Sequence, residues 1–163
     1  MASEKLVHAE YSNQFENLIV NIRTPDGILE IQNIYWSPSR CPTKFPKLTK
    51  ANKKATSLCI CGDFNAIHQQ WLAPRNVNNT QGNALAKMLN KSPLVLMNPK
   101  EPRTTFGSML DMCIVSTNIS LVTHVQCTDV LSDIHYAMEI EINIKRFLDK
   151  ESFVPRLKFE IAD

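Results

Sequence analysis

The 163-residue sequence contains no apolar run that approaches the roughly 20 residues needed to cross a bilayer, so it predicts no membrane-spanning helix. It also lacks a recognisable signal peptide. Its five cysteines form no C-x-x-C pair and no zinc-like spacing, and their odd number indicates a reducing, intracellular setting. We therefore expect a soluble nuclear or cytoplasmic protein rather than a secreted one.

A strong excess of charge of either sign is missing as well. The chain carries 18 Lys+Arg against 16 Asp+Glu, a formal net charge of +2. That balance excludes a globally polycationic nucleic-acid binder, so any contact with DNA would come from a local patch. The lysine-rich segment 44–54 is typical of a solvated surface, and a position flanking DNA is the alternative.

Short apolar segments with strand character dominate what is present. The 44% hydrophobic fraction can support one core. Strands are predicted over residues 17–22, 28–35, 57–61, 94–97, 109–116, 119–127 and 135–144. One amphipathic helix is predicted over residues 79–91, with Thr80 as a possible N-cap and Pro93 as its stop. This pattern indicates an α+β or α/β layered sheet rather than a helix bundle.

Three connecting segments set the expected boundaries. Pro25-Asp26-Gly27 predicts a tight turn between the first two strands. Residues 37–56 form a polar, proline-punctuated connection, with one helical stretch expected between residues 48 and 55. Charges and Pro155 break the strand period after residue 145, so we expect a domain over residues 1–145 and a tail over residues 146–163.

The stretch "CGDFN" places an acid and an amide where a buried strand runs out. Residues two apart in a strand share a face, so we expect Asp63 and Asn65 to point the same way. Gly62 would let backbone or ligand approach closely. An Asp and an Asn at a strand end can hold a water or a hard cation and can bind a phosphate oxygen. A simple polar turn is the alternative interpretation.

Three further features have the chemistry that such a site needs. Tyr35 ends a strand, Asp111 lies within another, and His135 opens the last one after the acidic Asp133. An Asp paired with a His fixes the imidazole tautomer and keeps the ring cationic near a phosphate. Tyr35 as a core aromatic, Asp111 as a strand-edge acid and His135 as a half-buried histidine remain open as structural alternatives.

The order "NIYWSPS … CGDFNAIHQQW … FGSMLDMCIVS … LSDIHYAMEI" resembles the endonuclease/exonuclease/phosphatase superfamily. More narrowly, "GDFNA-x-H-x-x-W" followed by "N-x-x-G-x-x-L" is similar to the endonuclease domain of jockey-type non-LTR retrotransposons. The resemblance covers residues 5–161, and the tail "FVPRLKFEIAD" is similar to the segment leading to a reverse transcriptase. It implies a four-layer α/β sandwich of the DNase I-like type, here partial, possible continuity with a reverse transcriptase in a longer polyprotein, and DNA as the target.

The resemblance also implies a role for each matched residue. Asp63 would orient and deprotonate the attacking water, and Asn65 would bind the phosphate. Tyr35 would contact the scissile phosphate, and His135, held by Asp111, would donate to a phosphate oxygen. The implied cofactor is Mg²⁺ or Mn²⁺. Its implied ligands are Asp63, Asn65 and, more weakly, Asp133, whereas His68 and Trp71 would shape the loop that follows the strand.

Two departures from the family pattern lead us to expect impaired activity. The family's domain normally begins upstream, with strands that carry a metal-site Asn and a metal-binding Glu, so this chain is expected to be N-terminally truncated. The family's closing motif is Ser-Asp-His, whereas this chain reads Ser132-Asp133-Ile134-His135, so that Ile134 takes the place of the acid. Loss of one oxyanion-type donor costs about 3–4 kcal/mol, or roughly 10²–10³ in rate.

Three functions therefore compete at this point. The leading one is a Mg²⁺-dependent DNA endonuclease that nicks its target. The second is a catalytically inactive relic that binds nucleic acid or a partner. The third is a phosphatase of the same superfamily, against which the "GDFNA-x-H-x-x-W" continuation speaks.

Overall fold

The computed structural model describes residues 7–11, 16–38, 54–71, 77–98, 107–117, 122–130 and 135–142. These ranges contain eight strands and one helix. The strands are β1 Val7–Tyr11, β2 Glu16–Thr24, β3 Gly27–Tyr35, β4 Ser57–Asp63, β5 Leu94–Leu96, β6 Asp111–Ser116, β7 Val122–Val130 and β8 Tyr136–Ile142. The helix is α1, Thr80–Leu89.

The first six strands form one sheet in the order β1-β2-β3-β4-β6-β5, and β7 pairs with β8 in a second sheet. Within the large sheet β3 and β4 are parallel, and the other neighbours are antiparallel. The predicted turn before Gly27 joins β2 to β3. As a result, the carboxyl ends of β3 and β4 meet the amino end of β6 at one edge.

Alternating residues of the central strands divide the interior into two cores. Leu58 and Ile60 of β4 face α1 and pack with Leu85 of the helix. Cys59 faces the opposite way and packs with Val125 of the second sheet. The described residues therefore form three layers, which are the helix, the large sheet and the small sheet. The predicted α+β layering is confirmed.

The structure confirms the predicted helix, but Thr80 is not its N-cap. Asn79 is the N-cap, because its side-chain oxygen accepts a hydrogen bond from the Gly82 amide and its backbone is extended. Thr80 is the first helical residue. Asn and Thr both serve as caps, so the pattern alone did not separate adjacent positions. The helix ends at Leu89, ahead of Pro93.

Several predictions fall on residues outside the described ranges. One is the helical stretch at 48–55, of which only residues 54 and 55 are described, and these two are not helical. Another is the tail 146–163, together with the domain boundary before it. Strand β1 was not predicted. Within the described ranges no helix is long and apolar enough to span a membrane.

Candidate active site

One row of polar side chains lies at the end of the large sheet where the carboxyl ends of β3 and β4 meet the amino end of β6. Tyr35 pairs with Asp63 across β3 and β4, and Asp63 pairs with Asp111 across β4 and β6. Residues paired in register share a face, which here is the face that carries the small sheet. On the other side of Tyr35 the row continues to the exposed Glu16, the first residue of β2, for which the sequence predicted no strand end.

Gly62 lets β3 and β4 approach at this edge. Its φ is +131°, and a Cβ atom there would lie only 2.0 Å from the carbonyl oxygen of Ile34. Every other residue type would therefore have to push the two strands apart. The glycine fixes the separation of the strand ends that carry Tyr35 and Asp63.

Asp63 and Asn65 do lie together, but not for the reason given by strand periodicity. Strand β4 ends at Asp63, and Asn65 has a left-handed φ of 45°. The chain turns back so that the Asn65 backbone amide donates to Asp63 Oδ1 at 2.9 Å and its Nδ2 donates to Oδ2 at 3.0 Å. Asn65 Nδ2 also donates to the Trp36 carbonyl at 3.0 Å. This Asx-type turn holds the carboxylate by both oxygens.

Asp63 and Asp111 form a pair without mutual backbone hydrogen bonds. The Phe64 amide donates to the Leu110 carbonyl at 3.0 Å, and a bond between these two neighbours is the one that flanks a pair without hydrogen bonds of its own. In such antiparallel pairs the two side chains approach most closely. Burial, together with the neighbouring Asp111 charge, raises the pKa of the Asp63 carboxyl, and the hydrogen bonds from Asn65 and the His135 charge act against that rise.

His135 lies beside these acids and adds a positive charge when its ring is protonated. Its Nδ1 lies 2.7 Å from Asp111 Oδ2, with side-chain exposures of 31% and 18%. This hydrogen bond, with the charges of Asp111 and Asp63, raises the pKa of the His135 imidazole despite partial burial. A protonated ring here therefore has Asp111 on one side and remains accessible to an anion.

The loop after Asn65 is fastened to the amino end of α1. Asn79 Nδ2 donates to the Asn65 carbonyl at 2.7 Å, while its Oδ1 accepts from the Ile67 amide at 2.9 Å and the Gly82 amide at 2.7 Å. Sequence reasoning placed Asn79 in a motif but missed this bridging role. An Asn that both ends a loop and begins a helix is the signal that could have revealed it.

His68 and Trp71 support the same loop. Trp71 Nε1 donates to the Ala66 carbonyl at 3.0 Å, and the two rings lie 5.0 Å apart. Both side chains are buried. These contacts agree with a role in shaping the loop. No contact among the described residues directs either ring at the acids.

The structure thus brings together Asp63, Asn65, Asp111 and His135, with Tyr35 alongside. The Tyr35 side chain is 44% exposed, so it is not a core aromatic. Asp133 lies outside the described residues, as does Ile134. The chemical roles of all these residues remain predictions.

A solved structure shows the same fold. The endonuclease domain of TRAS1, a telomere-specific non-LTR retrotransposon, superimposes with a TM-score of 0.63 at 20% identity, over 88% of this chain and 69% of that one. The predicted DNase I-like fold class is therefore confirmed. No curated protein matches the chain.

The family described as "Endonuclease-reverse transcriptase" matches residues 29–139. The chain belongs to this family, and the family resemblance expected from its motifs is confirmed. Membership makes it an endonuclease-type protein. The matched range includes Tyr35, Asp63, Asn65, Asp111 and His135.

Proposed function

We propose that this chain hydrolyses phosphodiester bonds in DNA as a divalent-metal-dependent nicking endonuclease. The observation that carries the proposal is the 2.7 Å contact between His135 and Asp111 in the row that also contains Asp63. A cationic ring and a carboxylate of raised pKa at one edge suit a phosphate and its attacking water. Family membership and the endonuclease title of the TRAS1 domain support the same reaction.

Asp63 is the proposed general base. Burial raises its carboxyl pKa, which makes the carboxylate a stronger acceptor for a proton from water. The hydrogen bonds from Asn65 limit the rise and fix the direction of both oxygens. Asp63 would therefore hold one water in position.

His135 and Tyr35 are the proposed phosphate contacts. With Asp111 bonded to Nδ1, we expect Nε2 to donate to a phosphate oxygen as negative charge develops. The exposed phenol of Tyr35, on the same face as Asp63, would bind the same phosphate. Asn65, whose Nδ2 donates to Asp63 and to the Trp36 carbonyl, would support these contacts by fixing the Asp63 carboxylate.

The donor set fits Mg²⁺ or Mn²⁺. Asp63 and Asn65 lie together and each carries a hard side-chain oxygen, and we propose that they hold the cation. Among the described residues no group of three or more His, Cys, Asp or Glu could hold a metal. Mg²⁺ commonly uses one or two carboxylates and completes its shell with water and phosphate oxygens. When bound, the cation would neutralise the phosphate and its leaving oxygen.

The target is proposed to be DNA, and the partner a reverse transcriptase within a longer polyprotein. The family description, which pairs the two activities, supports this context. The tail over residues 146–163 is the proposed connection, and the domain is proposed to end near residue 145.

We propose in addition that turnover is reduced by Ile134. The family's acid at this place is replaced, and loss of a comparable polar group costs roughly 10²–10³ in rate. Ile134→Asp should therefore raise the nicking rate by at least about tenfold, whereas Ile134→Ala should not. Equal rates in the two variants would contradict this part of the proposal.

Nicking of supercoiled plasmid in Mg²⁺ tests the main proposal. Asp63→Asn should abolish metal-dependent nicking. Asp26→Asn, the same chemical change in the exposed turn at the far end of β3, should leave it unchanged. Nicking that survives Asp63→Asn would refute the proposal, and DNA binding without any cleavage in the parent chain would favour the relic.

A further inference from the structure

Asn98 lies where the edge strand β5 stops but its neighbour β6 continues toward the site. Strand β5 is only three residues long and pairs with β6 from Leu94 to Leu96. The Met97 amide makes one more ladder bond, donating to the Cys113 carbonyl at 2.8 Å. Among the described residues the ladder between β5 and β6 ends at this point, before it reaches Asp111.

The side chain of Asn98 continues the hydrogen bonding that β5 makes with the backbone of β6. Its Oδ1 accepts from the Cys113 amide at 2.6 Å, and its Nδ2 donates to the Asp111 carbonyl at 2.9 Å. One carboxamide therefore acts like the next peptide group of the ladder. It fixes the backbone on both sides of Met112, including that of Asp111, which forms a dyad with His135.

The same Nδ2 also reaches the strand that carries the histidine. It lies 3.6 Å from Met138 Sδ in β8, which begins directly after His135. Sulfur is a weak acceptor, so this contact adds orientation more than energy. Three of the four hydrogen-bonding positions of the carboxamide are used, and they connect the two sheets near the contact of Asp111 with His135.

We propose that Asn98 is a positioning residue that sets the Asp111–His135 hydrogen bond. It does not touch the reacting groups, and it acts through the backbone of Asp111 and through β8. Its effect on rate rests on the proposed nuclease function, but its effect on the dyad does not. The half-buried amide is otherwise an unremarkable loop residue, which is why no sequence pattern marks it.

The tautomer of the His135 ring can be measured. Loss of a residue with a purely structural role would not change it. With Asp111 accepting from Nδ1, the neutral ring carries its proton there, whereas an imidazole without this bond shifts toward the Nε2–H form. Long-range ¹H–¹⁵N spectra distinguish the two forms when they are recorded at a pH above the pKa of the ring, where it is neutral. We expect the parent chain to show the Nδ1–H form and folded Asn98→Ala to show a shift toward Nε2–H.

Two controls separate this effect from general damage. Asn83→Ala, the same change at an exposed position of α1, should leave the His135 spectrum unchanged. Asp111→Asn should shift the tautomer by itself, and adding Asn98→Ala to it should cause no further change. A folded Asn98→Ala that keeps the Nδ1–H form would overturn the proposal.

A second measurement needs no variant of Asn98. In the otherwise unchanged chain, Asp111→Asn should shift the carboxamide signals of Asn98, and unchanged signals would also overturn the proposal. If the parent chain nicks DNA, Asn98→Ala should lower kcat by roughly 10²-fold with little change in KM, as for a misplaced catalytic group. A parent chain that does not nick refutes the nuclease proposal alone, because the tautomer still decides the role of Asn98.

Discussion

The link between helix α1 and the site loop can be tested by two substitutions of Asn79. Asn79→Ala removes the helix cap, which costs about 1 kcal/mol. It also removes the acceptor of the Ile67 amide and the donor to the Asn65 carbonyl, both in partly buried positions. An unsatisfied buried group costs about 1–3 kcal/mol. The expected loss of unfolding free energy is therefore about 3 kcal/mol.

Asn79→Asp isolates the contact with the site. A carboxylate keeps both acceptor bonds, from Gly82 and Ile67, and a negative charge at a helix amino end is favourable by about 0.3–1 kcal/mol. It cannot donate to the Asn65 carbonyl and places an anionic oxygen against it. We expect a smaller loss of unfolding free energy than for Asn79→Ala, but nicking reduced by roughly tenfold or more because Asn65 is displaced.

Urea denaturation followed by circular dichroism gives the unfolding free energies of both variants. Asn83→Ala, on the exposed side of the same helix, is the control and should be neutral or slightly stabilising. An Asn79→Ala loss within about 0.5 kcal/mol, the usual range for surface changes, would refute the reasoning.

Three further predictions follow from the site geometry. Gly62→Ala should lower stability by about 2–4 kcal/mol, because its Cβ would meet the Ile34 carbonyl. Gly107→Ala, at a positive φ of +79° but in open space, should cost distinctly less in the same urea experiment. Asp63→Asn should abolish nicking, and its unfolding free energy relative to that of the parent chain should rise with pH. The raised pKa of Asp63 means that the parent chain loses stability as pH rises from the unfolded-state value through the folded one, so the difference between the two chains should stop changing below about pH 3.9. His135→Ala should cost stability fully below about pH 6.5 and progressively less as pH rises through the raised folded pKa, and a difference that grows with pH would contradict this.

The strands were predictable because their signals are local. The turn before Gly27 and the apolar runs of β4 and β6 follow from residues adjacent in sequence. Strand β1 was missed because nothing local marks it, and its pairing with β2 is what makes it a strand. The boundary of α1 was displaced because two adjacent residues are both good caps.

The site was predictable only in part. The resemblance supplied its members, whereas their separation along the chain, 24 residues between Asp111 and His135, exceeds what any periodicity reports. Strand alternation predicted correctly that Asp63 and Asn65 lie together, but for the wrong reason. A turn with a left-handed residue brings them together. Asn98 was missed because its partners are 13 and 15 residues distant and are backbone groups.

The central claim is that these strand ends form one metal and phosphate site. Titration with Mn²⁺, a paramagnetic substitute for Mg²⁺, tests it directly through the broadening of backbone amide signals. We predict that signals of Asn65, Asp111 and His135 broaden first and together, while those of Asp26 at the far end of β3 stay sharp. Broadening centred elsewhere, or of His135 without Asn65, would contradict the account.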